Sequence, residues 1–387
     1  METYKINFLM LGLDRTGGIR VLFNFANELY KLGHDVSITT LSSKKNIWFK
    51  LEDGIKVISP SKFTTYRYLG IEILNLKLGR SNFSSHLSSL KKLASLVPKS
   101  DINIATFSTT AYIAYFRSDQ AMPFHHMQHM ETLFTDDEKF RNLIKLAYFL
   151  PIPKVANSKW LQERVLSLTG KKYEILNPAI EHSVFYPREK LNDNKIHITA
   201  LGKGGWKNAK LIYDAVNEIR EKKLTDKPIV LHFFGHRVPE GINVDNHNTL
   251  FHKDISDEEL AKLYSNSHIQ ITASVAESFP LPPLEAMACG TAVITTPYGT
   301  EDYAIDGYNA LIVKPNNKSE LINAILELIH NEKKRDQIAK NGIITASKFN
   351  YKDQAKKWSE LLRNYFNDYK NDIENIKADF SKYGLKL

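Results

Sequence analysis

The chain of 387 residues contains a single cysteine, Cys289, so no disulfide can form within it. A lone thiol fits a reducing compartment, and a cytoplasmic location is the expectation. No run of about 18 apolar residues occurs, which argues against a membrane-spanning helix. Residues 5–11 are apolar but short. They follow no basic leader and precede no small-residue cleavage site, so they read as a first buried strand rather than a signal peptide. No Asp-x-Asp motif is present, which argues against a divalent cation bridging phosphates, and neither a metal nor a cofactor is expected. The chain also has no internal repeat beyond its β/α rhythm and no low-complexity segment.

What is present is the composition of a folded protein, with 43% hydrophobic and 25% charged residues. The length suits two cores better than one. The formal net charge is +9, and residues 1–170 hold 22 Lys/Arg against 14 Asp/Glu, so the excess lies almost wholly in the first half. One reading is a solvated basic surface. The other is a first half that faces something anionic: nucleic acid, anionic lipid or a phosphorylated acceptor. The basic residues are scattered rather than interleaved with aromatics, which argues against nucleic acid.

Strands and helices alternate twice along the chain. Residues 5–12 end in glycine, Gly17-Gly18 follows, and Val21, Leu22, Phe25, Leu29 and Leu32 recur at helical spacing before Gly33. Residues 36–39, 56–58, 102–106 and 154–156 read as further strands. Asn177-Pro178 and Phe185-Tyr186-Pro187 mark a connection. The alternation restarts with strands at 196–201, 229–234, 268–273 and 291–295, and with helices at 208–222, from Ser256 and from Pro283. After residue 317 the chain is mostly helical and charged. An amphipathic helix carrying Trp358, Leu361, Leu362, Tyr365 and Phe366 packs on a core, with a membrane-surface helix as the other reading. This pattern predicts an α/β chain of two doubly wound parallel-sheet domains facing a cleft, residues 1–176 and 177–350, with 351–387 as terminal helices. Such sheets bind ligands beyond the carboxyl ends of their strands.

The strongest motif is the string from Glu277 to Gly290, read as a loop that enters a helix at Pro283. Proline costs nothing in a first helical turn, and the free N–H groups there suit a diphosphate. Glu285, read in the first turn, cannot hold phosphate but can accept hydrogen bonds from vicinal hydroxyls, as a ribose offers. Glu277 lies across the loop for a second set of hydroxyls. A loop whose glutamates only cap a helix is the plainer alternative. Gly202-Lys203-Gly204-Gly205-Trp206-Lys207-Asn208 is a second candidate, in which Lys203, Lys207 and glycine N–H groups cradle a diphosphate. It is not a dinucleotide fingerprint, because the glycine spacing is wrong and it lies in mid-chain. In the segment from His125 to Glu131, a zincin would need Glu at position 126, where histidine stands. Structural places for His125 and His126 are the expectation. Gly17-Gly18 reads as a tight turn whose N–H groups could reach a diphosphate or an acceptor.

The string Glu277, seven residues, Glu285, then Ala286-Met287-Ala288 and Gly290 resembles the signature of glycosyltransferase family 4, retaining enzymes of the GT-B fold. Gly17-Gly18, Gly33 to Val36, Ala156 to Lys159, Asn177-Pro178, Gly299-Thr300-Glu301 and the run from Asp306 to Leu311 extend the resemblance. Residues 41–100 resemble it least. Ser278 and Pro280 stand where the family has glycines. Lys203 stands for the family's arginine, which keeps the charge and loses the bidentate fork. The resemblance implies a nucleotide-sugar donor held by residues 277–281 (Glu277, Ser278, Phe279, Pro280 and Leu281), with Glu285 on the ribose. Lys203 and Lys207 meet the diphosphate, and His129 joins Glu277 at the sugar. Gln128, Glu131 and Phe134 are similar to rhamnosyltransferase-like members. A retaining transfer follows, and the basic first half points to a glycan or lipid-linked acceptor at the inner face of an anionic membrane. A nucleotide-sugar 2-epimerase of the same architecture and a non-catalytic sugar-nucleotide-binding subunit remain the alternatives.

Overall fold

The computed structural model describes residues 2–40, 47–59, 90, 93–191, 193–245 and 247–378. The chain divides into two compact units, one of residues 1–157, 161–177 and 351–387, the other of 158–160 and 178–350.

The first unit runs β1 (Lys5–Met10), α1 (Gly17–Lys31), β2 (Asp35–Thr40), β3 (Lys56–Ile58), β4 (Ile102–Ala105), α2 (Ser108–Phe116), β5 (Met122–Met127), α3 (Glu138–Ala147), β6 (Lys154–Ala156), all but the first two residues of α4 (Lys159–Thr169), and β7 (Glu174–Ile175). Its strands are parallel in the order β3-β2-β1-β4-β5-β6-β7. Thr16 starts α1, its Oγ1 accepting from the N–H of Ile19 at 3.3 Å. Gly33 follows the helix with φ of 97°, which a side chain would strain.

Strand β5 was not among the sequence expectations. Its histidine pair interrupts the apolar run by which a strand buried on both faces is recognised. Successive side chains of a strand point to opposite faces. Accordingly, the His125 ring stacks 6.3 Å from Tyr148. His126 lies 4.9 Å from Trp358 and 5.9 Å from Phe25. Burial, then the Lys154 charge, takes His125 well below its ordinary pKa, and burial draws His126 down to about 3. Both rings are fully buried among these aromatics. Among the described residues no three His, Cys, Asp or Glu side chains converge as metal ligands.

The second unit runs β8 (Ile196–Leu201), α5 (Ala209–Glu221), β9 (Ile229–Gly235), β10 (Thr249–Lys253), α6 (Asp257–Ser265), β11 (Ile269–Thr272), α7 (Leu281–Ala288), β12 (Ala292–Thr295), β13 (Leu311–Ile312), α8 (Lys318–His330) and α9 (Glu332–Ala346). The order is β10-β9-β8-β11-β12-β13, all parallel. A core of Ile198, Leu231, Phe233, Ile271, Ile294 and their neighbours lies under the helices. The predicted capping serine holds: Ser256 accepts from the Glu259 N–H at 3.2 Å, and its own N–H donates to the Glu259 carboxylate at 2.7 Å.

Helix α10 (Tyr351–Ala378) returns to the first unit. Its Trp358 is fully buried, 4.8 Å from Phe25 and 5.6 Å from Phe8 in edge-on contacts. Trp358 thus packs on a core, the first of the two readings for this helix. Burying an aromatic of this size contributes about 3 kcal/mol.

A row of histidines crosses the second sheet. His197 Nδ1 lies 2.9 Å from His232 Nε2, and His232 Nδ1 lies 3.0 Å from His252 Nε2. At the other end His197 Nε2 is 3.0 Å from an Asp193 oxygen. The rings stand 5.2 Å apart along the row. A carboxylate only accepts, so His197 donates from Nε2, and in a neutral ring its Nδ1 is then an acceptor. His232 then donates from Nε2 and accepts at Nδ1 from the Nε2–H of His252. Three imidazoles of one tautomer can thus satisfy every contact in the row.

Candidate functional site

In the second sheet the chain builds β8, β9 and β10 to one side and then crosses to place β11 on the other side of β8. The loops after β8 and β11 therefore leave the sheet at the point where strand order reverses. This is the position at which open parallel sheets leave a crevice for ligands. Both strong sequence motifs lie on these two loops.

After β8, a turn of 3-10 helix, Gly205–Lys207, leads into α5. Gly205 (φ 61°) and Asn208 (φ 59°) take left-handed conformations there. Gly202 is glycine for a packing reason as well, since a Cβ would stand 2.8 Å from the Phe251 ring. Lys203 is exposed, and its ammonium lies 5.3 Å from the centre of the Trp206 ring. Partial desolvation, then the neighbouring Lys207 ammonium, lowers its pKa from the ordinary lysine value.

After β11, Ser274 and Glu277 are both buried. The Ser274 hydroxyl donates to Glu277 Oε1 at 2.9 Å, and the same oxygen accepts from the Lys207 ammonium. Ser274 is itself anchored, its carbonyl accepting from the Thr296 hydroxyl at 2.6 Å. A small pocket opens beside the ion pair, lined by Leu201, Thr272, Ser274, Pro280 and Pro282 among others.

The rest of the string is held from below. Phe279 packs 5.3 Å from Tyr303 and 5.9 Å from Phe349, and the Tyr303 hydroxyl donates to the Pro280 carbonyl at 2.7 Å. Ser278 lies 3.2 Å from the Ser158 hydroxyl. Helix α7 begins at Leu281, two residues before the expected start, with Pro282 and Pro283 inside its first turn. Proline's fixed φ suits those positions and its missing N–H is not needed there. Glu285 is consequently one turn into the helix rather than in its first turn, and it is buried.

Gly299 (φ 74°) touches this loop. A Cβ there would stand 2.7 Å from the carbonyl oxygens of both Glu277 and Ser278. Backbone cannot yield as a flexible side chain can. Gly299→Ala is therefore expected to cost about 2 kcal/mol in urea unfolding and to displace Glu277, lowering turnover by at least about tenfold. Wild-type stability and turnover would show that the loop does not depend on this approach.

In the first unit, Gly17 and Gly18 open α1, and a Cβ on Gly18 would stand 3.2 Å from the Gln128 amide oxygen. His129 lies beyond β5 with its ring 4.5 Å from Phe134, and the Tyr148 hydroxyl donates to its carbonyl at 2.9 Å. Glu131 is fully buried, one oxygen accepting from the Ser108 N–H at 2.7 Å, and burial pushes its carboxyl up to about 8.

The structure thus brings Lys207, Glu277 and Ser274 together, with Lys203 on the same loop as Lys207. Sequence reading missed Ser274 and Tyr303. Ser274 stands at the carboxyl end of a strand, where it could have been sought. Tyr303 carries no local signal, because its partner Pro280 is 23 residues away.

Residues 187–345 match the model of the family described as glycosyl transferases group 1. An uncharacterised glycosyltransferase of Methanocaldococcus jannaschii is 35% identical over 109 residues, 27% of this chain and 31% of that protein. The O-antigen biosynthesis protein RfbC of Myxococcus xanthus is 22% identical over 271 residues, 70% of this chain and 21% of that protein. The chain spans less than half the length of the curated relatives it matches first. Among solved structures, Anabaena HepE in complex with UDP and glucose superposes with a TM-score of 0.70 at 16% identity, over 93% of this chain and 100% of that one. The chain has the GT-B fold, and the part of it that carries Lys203, Lys207, Glu277 and Glu285 matches the glycosyl transferases group 1 family.

Proposed function

We propose that the protein is a retaining, metal-independent glycosyltransferase of the family 4 kind, taking a sugar from a nucleotide-sugar. The observation that carries this reading is the meeting of Lys207 with Glu277 at the strand-order reversal, beside Lys203. Two ammonium groups suit a departing diphosphate, and carboxylates suit hydroxyls. In this reading Lys203 and Lys207 take the diphosphate, Glu285 the ribose and Glu277 the sugar. No carboxylate is assigned as nucleophile. The acceptor oxygen attacks the face from which the diphosphate leaves, and the diphosphate takes the acceptor's proton. Catalysis is then placement together with charge neutralisation.

The likeness to an O-antigen biosynthesis protein supports a glycan or lipid-linked acceptor in surface polysaccharide synthesis. The +8 of residues 1–170 supports peripheral binding to an anionic membrane. Among the described residues no helix is long and apolar enough to cross one.

The deciding experiment incubates the protein with UDP-, GDP- and dTDP-hexoses, without metal, and follows release of the nucleoside diphosphate. A transferase hydrolyses one donor slowly and is accelerated by acceptor. Conversion of a donor to its 2-epimer would replace this reading with the epimerase, and binding without turnover would replace it with a non-catalytic subunit. Salt-sensitive flotation with phosphatidylglycerol vesicles checks the membrane reading, and no flotation at low salt would remove it.

A further inference from the structure

We infer that the Lys207–Glu277 ion pair makes this site selective for the sugar-bearing nucleotide over the bare nucleoside diphosphate. The inference rests on the assignment of Lys207 to the diphosphate and Glu277 to the sugar. In the ligand-free protein these two groups satisfy each other, since Glu277 Oε1 accepts from both Lys207 and Ser274. The Lys207 side chain is 18% exposed and that of Glu277 is 8% exposed, so the pair is shielded on the carboxylate side.

A diphosphate that recruits Lys207 must draw it from Glu277. With a bare nucleoside diphosphate, the carboxylate then keeps one neutral donor, Ser274, in a site that excludes most water. An uncompensated buried charge is costly, and more so than the loss of a surface ion pair. With a nucleotide-sugar, sugar hydroxyls donate to Glu277 in place of Lys207, and the exchange leaves no group unsatisfied. The same asymmetry favours release of the product after the sugar has left. Lys207 returns to Glu277 as the diphosphate departs.

The sign of the consequence is distinctive. Removing the Glu277 charge should strengthen binding of the bare nucleotide. Glu277→Gln should lower the Kd for whichever of UDP, GDP and dTDP binds, by on the order of tenfold. It should not strengthen binding of the corresponding nucleotide-hexose, which loses its carboxylate acceptor. Ser274→Ala takes away the last donor to the stranded carboxylate and should weaken bare-nucleotide binding. A merely loosened fold would weaken binding in both variants, whereas here they move in opposite directions.

Titration calorimetry on the full chain measures all of these. Unchanged or weaker nucleotide binding by Glu277→Gln overturns the inference, as does equal strengthening for nucleotide and nucleotide-sugar. Lys207→Gln serves as the separate control. If it leaves nucleotide binding unaltered, the assignment of Lys207 to the diphosphate fails, whatever Glu277→Gln does.

Discussion

Replacing Lys207 by alanine is expected to lower kcat/KM for the donor by about 10²- to 10³-fold, the scale of losing one preorganised charge at a developing anion. In the proposed reading the lysines carry the neutralisation of the leaving group. Lys203 is exposed, so solvent screens its charge, and its ammonium lies over the Trp206 ring. Lys207 is therefore the stronger single contributor. Alanine has a second effect, because it leaves Glu277 buried beside Ser274 alone, at a cost of about 3 kcal/mol. Lys207→Gln separates the two effects. Its amide can still donate to Glu277, so stability should recover while turnover stays low. Normal kcat/KM in either variant would rule out the lysine's role.

Acidification should weaken the second unit through the histidine row. Burial, then the neighbouring His197 and His252 rings, draws His232 down to about 3, and burial draws His252 down too. Burial, then Arg335 and Lys190, brings His268 to about 4, and its Nδ1 accepts from the backbone N–H of His197 at 3.1 Å. These bases have folded pKa values below their unfolded ones. Their contribution is intact above the unfolded value near 6.5. It is lost as pH falls from there toward 3 to 4, because the unfolded chain binds protons that the row refuses. For His232 alone the loss by pH 5 is about 2 kcal/mol. The row also cannot accept a proton without one imidazole losing its acceptor nitrogen. In His232→Gln, the difference in urea stability between pH 7 and pH 5 should shrink by about this amount. An undiminished difference would show that the row is not the acid-sensitive element.

Much of the architecture was legible because it rests on local physics. Parallel strands buried on both faces read as apolar runs, amphipathic helices read as a 3.6-residue period, and glycine and proline mark their ends. That placed Lys203 and Lys207 after one strand of the second sheet, and Glu277 and Glu285 after another. Strand β5 escaped because His125 and His126 look polar in a sequence, yet each fills a buried place on its own face of the strand.

By itself, then, the sequence determined the two α/β units and the loops on which the chemistry stands. Only the tertiary structure decided which groups meet. Lys207 and Glu277 are 70 residues apart and pair because β8 and β11 are neighbours in the sheet. The histidine row exists because β8, β9 and β10 lie side by side in one register. Glu285 stands two residues further into α7 than expected, because the helix begins at Leu281 and takes both prolines into its first turn. Side-chain pairing across a sheet depends on strand order and register, which no local pattern encodes. Across the loops after β8 and β11 that pairing joins Lys207 to Glu277 in an ion pair.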